Sequence, residues 1–525
     1  MTLSPLTLSP LAAGVTLTGV PGIDWGLLAP VLAPVVALLL VLLLDAVAPG
    51  HRLLRPVQDA VTLLGLAAAA GLVAWLSTTE QRSTACLSGS DSLLPECSFE
   101  VDRLALALMA VVLVAAFGCV LLAFDSPVTR ADEKAHAPYQ VLLLTAVAGT
   151  LALAGARDLA TLVIALETAS LPAIALVALR RDGQGAQAAV TMLITAVGSL
   201  GLLVTGVGLL VLTTGSLHFE VIATALSGGT ATGPGTGLDP HLAAVAGLGA
   251  LLALAGLAFK LSLVPFHLWT PDTYAGAPLP VAVFLATVSK VAGLAAVAVF
   301  LTMAVMPLAH AWAPVLAVLA GVSMTVGNLV ALRQTHAVRL LAWSTVAQAG
   351  WVVLPFAAAD ATPGGALPVL SASVGYLLAY VVASLAVFSV VVLVARHQPD
   401  GEEHSLETYR GLSRTEPVAS GVLVLGLLCL AGLPPGVMGL VAKVVVLRPV
   451  VDAQQWGLAV VAALNVALGL AYYLRWAGLV AARPASGQVL LRWKVRPAEG
   501  IALGAAGAAC VVLSVGGQLI AGLLG

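Results

Sequence analysis

Three of the chain's five lysines lie at the centre of long apolar runs. They are Lys260 in AGLAFKLSLVPF, Lys290 in VFLATVSKVAGL and Lys443 in GLVAKVVVL, in a chain of 525 residues. A charged side chain at the centre of a membrane helix costs about 2.5–3.5 kcal/mol on insertion scales. Because burial favours the neutral amine, such a lysine can take up and release a proton near neutral pH, whereas an arginine cannot. The pattern predicts proton handling inside a membrane.

One carboxylate, Glu167, has a similar position, close to the middle of LATLVIALETASLPAIALVAL. A carboxylate at that depth should find a cation or be protonated, and Lys260 is a natural partner if the two helices adjoin. A switch between the paired and the unpaired state would then move a proton. The alternatives stay open: Glu167 and Lys260 could form a purely structural ion pair, Lys290 could do the same with another group, and Lys443 could extend to a nearby interface.

Prolines interrupt two of the runs that carry these lysines. Pro265 follows Lys260, and the pair Pro434–Pro435 precedes Lys443. Proline cannot donate a helical hydrogen bond, and broken helices near the middle of a membrane line cavities or ion paths in transport proteins. His267 lies seven residues after Lys260, on nearly the same helix face, and could carry protons or cap carbonyls freed by the break. Asp272 is expected to cap a turn together with Thr270.

The composition predicts an all-α, polytopic membrane protein. The chain is 60% hydrophobic and 9% charged, with a mean hydropathy of +1.05, whereas soluble domains are roughly a quarter charged. About 20 apolar residues are needed to cross a bilayer. Fourteen segments qualify: 26–44, 57–77, 103–123, 139–156, 158–179, 186–213, 242–269, 278–302, 313–332, 337–357, 367–395, 417–447, 457–480 and 499–522.

The two broken spans are the seventh and the twelfth, and this separation of five predicts two inverted five-helix repeats. The expected division is a lead-in with three spans over 1–135, a first repeat over 136–305, a second over 306–482, and a cytoplasmic loop with a last span over 483–525. The opening segment of some twenty residues is expected to be an exposed lead-in or a partial extra element, because it lacks the basic region of a cleavable signal.

The basic residues predict the orientation, because cytoplasmic loops are enriched in lysine and arginine. One set of loops holds only Arg82, Arg157 and Arg448. The other set holds fifteen: Arg52, Arg55, Arg130, Lys134, Arg180, Arg181, Arg333, Arg339, Arg396, Arg410, Arg414, Arg483, Arg492, Lys494 and Arg496. Both termini should therefore lie outside the cytoplasm.

Cys86 and Cys97 share an outward loop, over 78–102, where a disulfide is possible but not required. The other three cysteines lie in spans and are expected to be packing residues. The sequence contains no CxxC or HExxH motif and no glycine-rich nucleotide fingerprint between a strand and a helix. We therefore expect this chain to bind no metal or cofactor itself.

Several longer blocks resemble the antiporter-like proton-pumping subunits of respiratory complex I. The most specific is KLSLVPFHLWTPD, over 260–272, followed by YAGAP and FLATVSK. The others are ARDLATLVIALETASLP, GNLVALRQTHAVRLLAWSTVAQAGW and LAGLPPGVMGLVAK, and all lie in order across 156–443.

The resemblance implies roles for the buried charges. Glu167 would be the glutamate that pairs with Lys260 on the broken seventh span. Lys290 would be the central relay lysine and Lys443 the ionisable group of the broken twelfth span. His267 would join the water-linked path between them. Gln348 and Trp351 depart from the pattern, because many members of the family have histidine and tyrosine there.

The resemblance also implies a proton-translocating subunit without its own redox centre, in a bacterial cell membrane. NADH, FMN, iron–sulfur clusters and quinone would be handled by other subunits of the complex. Its partners would be other membrane subunits, including sister antiporter-like subunits, and the lipid bilayer, but no nucleic acid. A subunit of an Mrp-type sodium/proton antiporter or of a membrane-bound hydrogenase is the first alternative, and dependence on NADH or sodium would discriminate. A non-catalytic scaffold, which would tolerate neutral residues at all three lysines, is the second.

Overall fold

The computed structural model describes residues 22–518, except 52, 87–95, 125–134, 231–232, 235–237, 361–364, 398–403, 485–492 and 494. The predicted N-terminal lead-in and five of the basic residues used for the orientation lie outside the described residues: Arg52, Arg130, Lys134, Arg492 and Lys494.

The described chain is almost entirely helical, which confirms the predicted all-α membrane fold. Its α-helices, in chain order, are α1 Trp25–Val47, α2 Arg55–Leu76, α3 Arg103–Ala123, α4 His136–Ala154, α5 Leu159–Ala178, α6 Gly183–Thr214, α7 Phe219–Leu226, α8 Pro240–Leu261, α9 Trp269–Gly276, α10 Leu279–Ala286, α11 Val288–Val299, α12 Ala309–Ala331, α13 Ala337–Val353, α14 Ala366–Arg396, α15 Leu412–Thr415, α16 Pro417–Ala431, α17 Val437–Asp452, α18 Trp456–Ala481 and α19 Pro497–Val515. The strands are β1 Arg82–Cys86, β2 Cys97–Val101, β3 Gly229–Thr230 and β4 Gly233–Pro234. A π-helical turn, Phe300–Ala304, extends α11.

Thirteen helical segments of the described chain are long and apolar enough to cross a membrane. The predicted twelfth span, 417–447, is not continuous: α16 and α17 are two short helices separated at 432–436. The predicted seventh span, 242–269, is also broken, as expected from Pro265: α8 ends at Leu261 and α9 begins at Trp269. In both cases the helix ends before a proline that cannot continue its hydrogen-bond ladder.

Aspartates begin five of the helices. The side chains of Asp24, Asp102, Asp158, Asp182 and Asp239 accept hydrogen bonds from the first backbone N–H groups of α1, α3, α5, α6 and α8. These N–H groups have no partner within the helix, and a carboxylate there also interacts favourably with the helix dipole. Five of the chain's 25 acidic residues thus fix where helices begin.

The centre of the bundle is formed by three spans that other helices almost completely cover. In Leu279–Ala304, Ala337–Ala358 and Ala366–Arg396, 94% of the most apolar stretch is buried, against 28% in Trp25–Val47. Lys290, Gln348 and Tyr376 belong to these covered spans. Their polar groups must therefore find partners inside the protein.

The loop after α2 forms an antiparallel hairpin of β1 and β2, in which Cys86 and Cys97 are joined by a disulfide. The hairpin is anchored on the segment before α5: Glu100 N donates to Gly155 O, at 2.9 Å, and Arg157 N donates to Ser98 O, at 3.0 Å. The possibility left open by the sequence is thus resolved in favour of the disulfide. The disulfide-linked strands are thus attached to the segment before α5.

The two halves of the broken twelfth span cross at a glycine. A Cβ atom at Gly439, in α17, would overlap the carbonyl oxygen of Cys429, in α16. Only glycine permits this approach of two helix backbones.

We expect Gly439→Ala to lower the melting temperature of the purified protein by several degrees, because overpacking a tight contact costs about 1–3 kcal/mol. The matched control is Gly421→Ala in α16, where a Cβ atom meets nothing within 4 Å. Thermal unfolding in detergent measures both variants. Equal melting temperatures would show that α16 and α17 do not approach this closely.

Candidate functional site: buried lysines at helix breaks

Lys290 lies at the centre of the covered core and is 2% exposed. Its Nζ donates to Ser262 Oγ at 2.5 Å and to the carbonyl oxygen of Lys260 at 3.3 Å. The ammonium also lies over the ring of Trp269, 4.9 Å from its centroid. Neutral oxygens and an aromatic face stabilise a cation without fixing it as a salt bridge would. The contacts are therefore compatible with both protonation states of the amine.

These partners exist because α8 ends beside Lys290. Ser262 takes a left-handed conformation, with φ at 66°, and closes the helix, while Pro265 lies in the non-helical stretch before α9. The carbonyl of Lys260 is thereby freed from the helical ladder. Other groups of the break are also satisfied, since Trp269 Nε1 donates to Phe259 O and Val264 N donates to Ser323 Oγ.

Lys290 itself follows a second break that the sequence did not reveal. Thr287 separates α10 from α11, with φ −119° and ψ −82°, and its hydroxyl donates to Val283 O at 2.7 Å. No proline marks this position. The sequence around Thr287 therefore predicts an uninterrupted helix, and only the tertiary structure shows the break.

Lys260 is 6% exposed, and its Nζ has no hydrogen-bond partner among the described residues. Glu167 is close enough to act on it electrostatically, but the two groups form no ion pair. Glu167 instead accepts a hydrogen bond from Ser170 Oγ, at 3.2 Å. The two predicted partners therefore interact electrostatically but are not in direct contact. Lys260 is also close enough to Lys290 for their charges to repel.

Lys443 caps the end of the other broken helix. Its Nζ donates to the carbonyl oxygens of Leu430, at 3.0 Å, and Ala431, at 2.5 Å, and lies 5.6 Å from the ring centroid of Trp351. The side chain is 5% exposed. It therefore does not extend to an interface, as one sequence-based alternative proposed. Both Lys290 and Lys443 are thus buried ammonium groups that donate hydrogen bonds to carbonyls freed by a helix break.

Gln348 is the centre of a buried polar cluster next to Lys443. Tyr376 Oη donates to its Oε1, while its Nε2 donates to Tyr473 Oη at 3.1 Å and to Leu430 O at 3.5 Å. Tyr473 also shares a hydrogen bond with Ser344, at 2.5 Å. Because Leu430 O binds both Lys443 and Gln348, the cluster is in direct contact with the lysine. A small cavity lined by Gln348, Tyr376, Tyr380 and Leu430 adjoins it.

His267 and Asp272 lie at the edge of the seventh-span break. The His267 ring packs against Trp343, with centroids 5.3 Å apart, and its Nδ1 is buried without a partner. Asp272 pairs with Arg339 at 3.1 Å, and Thr270 donates to Ser262 at 2.6 Å. The expectation that Asp272 and Thr270 together cap a turn was wrong, because each side chain finds its partner on a different element.

Sequence reasoning missed Ser262, Thr287, Tyr376 and Tyr473. Serine, threonine and tyrosine are common in membrane helices, where they bond to their own backbone or to a neighbour. The one available signal was the proximity of Ser262 to Lys260 in the KLS triplet. The tyrosines come from distant spans and had no local signal.

The chain is similar in sequence to membrane subunits of respiratory complexes. The family described as NADH:quinone oxidoreductase/Mrp antiporter, TM matches residues 156–469. NADH-quinone oxidoreductase subunit N 2 of Streptomyces griseus is 40% identical over 493 residues, covering 92% of this chain and 88% of that protein. Subunit N of Salinispora tropica is 42% identical over 462 residues, covering 87% and 85% of the two chains.

Solved structures agree. A chain of respiratory complex I from Thermus thermophilus is 30% identical, with a TM-score of 0.73, covering 94% of this chain and 98% of its own length. A chain of the Mrp complex from Dietzia is 23% identical, with a TM-score of 0.76, covering 95% and 96%, which shows a shared fold alone.

The fold and the buried lysines thus define a membrane subunit of the class shared by respiratory complexes and Mrp antiporters. Within that class, the chain belongs to the subunit N family of NADH–quinone oxidoreductase, whose members are proton-translocating membrane subunits of complex I. The resemblance found in the sequence is confirmed.

We expect Ser262→Ala to slow NADH-driven proton pumping several-fold, because the variant removes the side-chain partner of the Lys290 ammonium. A hydrogen bond to a charged group contributes about 1.5–3 kcal/mol. Ser389→Ala is the matched control, since Ser389 is equally buried but donates to its own helix, at Ala386 O. Proton uptake by vesicles containing the assembled complex measures both. Equal loss in the two variants would show that Ser262 acts through stability alone.

Proposed function

We propose that this chain moves protons through a relay of Glu167, Lys260, Lys290 and Lys443, with His267 in an auxiliary role. The observation that carries the proposal is the set of three buried lysines, none of which forms an ion pair among the described residues. An ammonium held by neutral carbonyls can lose its proton without leaving a counter-charge behind. A buried carboxylate partner would instead fix the charge in place.

Repulsion between Lys260 and Lys290 supplies the switch. Two like charges at short range in a low-dielectric interior strongly disfavour simultaneous protonation. When Glu167 attracts the Lys260 ammonium, the repulsion on Lys290 is reduced and Lys290 can hold a proton. When that attraction is lost, a charged Lys260 drives the proton of Lys290 onward.

The tyrosine cluster would form the part of the route that adjoins Lys443, with which it shares the carbonyl of Leu430. The Gln348 amide cannot release a proton at neutral pH, so transfer would run through hydroxyl groups and water. Thr345 hydrogen-bonds Tyr380, at 3.0 Å, and Tyr376 and Tyr473 both bond to Gln348. A hydroxyl group can accept one proton while it releases another. A series of hydroxyl groups and water could therefore transfer a proton although each hydroxyl group is neutral at rest.

The chain itself would carry no redox centre, and no group of three metal-ligating side chains occurs in the described part of the chain. NADH, FMN, iron–sulfur clusters and quinone would belong to other subunits of the complex. We propose that neighbouring membrane subunits, including sister antiporter-like subunits, deliver the energy by moving charge near Glu167. Both termini would lie outside the cytoplasm of a bacterial cell, with 136–305 and 306–482 as inverted repeats.

The second candidate is a subunit of an Mrp-type antiporter, because the family whose model matches residues 156–469 includes both kinds of protein. Purification through a C-terminal tag from native membranes discriminates between the two. We expect a large assembly with flavin, iron–sulfur clusters and NADH–quinone activity. Recovery of small membrane subunits alone, with sodium-dependent proton exchange and no NADH activity, would favour the antiporter.

We expect Lys290→Ala to reduce NADH-driven proton pumping at least tenfold in a complex that still assembles, because the central proton carrier is missing. Lys290→Arg is the informative companion: it keeps the positive charge but cannot release a proton, and should fail equally. Proton uptake by vesicles, normalised to the NADH oxidised, measures both. Normal pumping by either variant would exclude Lys290 as a carrier.

A further inference from the structure

A cavity of about 590 Å³ lies outside the relay, at the end of the bundle that holds the β1–β2 hairpin. The end of α2, the start of α3 and the start of α14 all contribute to its lining. The charged lining residues are Glu80, Asp102 and Arg103, and the apolar ones include Leu106, Met303 and Leu367. The cavity thus combines charged groups with an apolar wall, as a site for a phospholipid must.

The cavity lies at the depth of the lipid headgroups. α2 ends at Leu76 and α3 begins at Arg103, so two membrane spans have their ends here. Trp75, next to the lining residue Leu76, is 49% exposed, and the Arg82 guanidinium lies 5.9 Å from its ring centroid. Exposed tryptophans are enriched at the membrane–water interface. A molecule in the cavity therefore meets both the headgroup layer and the hydrocarbon layer.

Two of the three charges in the lining are available to a ligand. The Asp102 carboxylate is occupied, since Oδ1 accepts Ala105 N at 2.7 Å and Oδ2 pairs with Arg157 at 2.8 Å. Arg103 and Glu80 are exposed and form no ion pair with any residue that the structure describes. Arg103 is also the first residue of α3, where the helix dipole favours an anion. One cation and one carboxylate together complement a zwitterion.

An apolar stripe continues from the cavity along α3. Between 103 and 114 this helix is buried except at Arg103, Leu106, Ala110 and Val114, which follow one another at helical spacing. Both α2 and α14 pack against α3, and both line the cavity at the top of the stripe. At a rise of 1.5 Å per residue the stripe is about 16 Å long, roughly half of a ~30 Å hydrocarbon core. One acyl chain of a single leaflet matches this length.

We propose that the cavity binds a phosphatidylethanolamine molecule, with the headgroup phosphate on Arg103 and the headgroup ammonium on Glu80. One acyl chain lies along the α3 stripe, from Leu106 to Val114. Phosphatidylglycerol carries the phosphate but no ammonium, so it leaves Glu80 without a partner. The inference goes beyond the proposed proton relay and does not depend on it.

The lipid contacts two of the covered spans of the functional site. Met303 lies in the π-helical turn that extends α11, the helix of Lys290. Leu367 lies in the first turn of α14, the helix of Tyr376. A lipid between α2 and these spans gives both sides packing contacts, which are individually small and collectively large. This supports a lipid held in one place and not one that exchanges freely with the bilayer.

The test uses the purified complex in mild detergent with a trace of phosphatidylethanolamine that carries a diazirine in one acyl chain. After illumination, mass spectrometry maps the cross-linked peptides of this chain. We expect adducts on α3 and on the first turn of α14. Arg103→Gln, and Leu367→Trp, which fills the cavity, should each reduce them at least fivefold, whereas Arg103→Lys should retain them.

Competition tests the choice of headgroup. Excess unlabelled phosphatidylethanolamine should suppress the adducts, and the same excess of phosphatidylglycerol should not. Glu80→Gln should abolish this difference. The matched controls are Arg448→Gln, at an arginine side chain that is 83% exposed, and Leu64→Trp, at an α2 leucine that is 68% exposed. Neither residue lines the cavity, so both variants should label like the unchanged protein.

Four results would each overturn the proposal. Adducts spread over all exposed helices and unchanged in Arg103→Gln would show annular lipid only. Equal competition by the two lipids would exclude the pairing with Glu80. Labelling that appears only after deletion of residues 1–21 would assign the cavity to the N-terminal segment of the chain. No labelling with or without that segment would assign it to a neighbouring subunit. The relay is tested separately by Lys290→Ala, because none of these measurements involves pumping.

Discussion

The organisation of this protein depends on the cost of placing a lysine ammonium in the hydrocarbon layer. In a continuous helix every carbonyl is already bonded, so a buried ammonium would find only apolar side chains. Each break in a helix frees carbonyls at membrane depth. Lys443 binds two of them, and Lys290 binds one together with Ser262. The breaks and the lysines stabilise each other, because either feature alone would leave buried polar groups unsatisfied.

The need for partners also explains why the buried polar groups of the site lie in the most covered spans. Leu279–Ala304, Ala337–Ala358 and Ala366–Arg396 are shielded by the outer helices, so their hydroxyls and amides bond to one another and not to lipid or bulk water. The result is a connected set of side chains from several distant spans. A connected interior that the outer helices shield from bulk solvent is also what the proposed directed proton path requires, because it limits where a proton can leave.

Electrostatics distinguishes the two halves of the site. Around Lys260 and Lys290, charged groups act on each other without touching, and the balance among Glu167, Lys260 and Lys290 can shift with a small movement. Around Lys443, the partners are neutral carbonyls, the Gln348 amide and tyrosine hydroxyls. The first region is suited to switching and the second to holding and passing on a proton.

The sequence by itself determined the membrane class, nearly all the spans, the family, and the charged residues of the proposed relay. These properties are local, because a lysine in an apolar run and a proline in a helix have the same consequence in any fold. Only the tertiary structure decided what each charge contacts. Glu167 and Lys260 share no ion pair, Lys290 depends on a serine from another helix, and Thr287 breaks a helix without a proline. The partners of Gln348 come from helices that lie far apart in the chain, and the sequence carries no local signal for contacts that arise only when those helices pack.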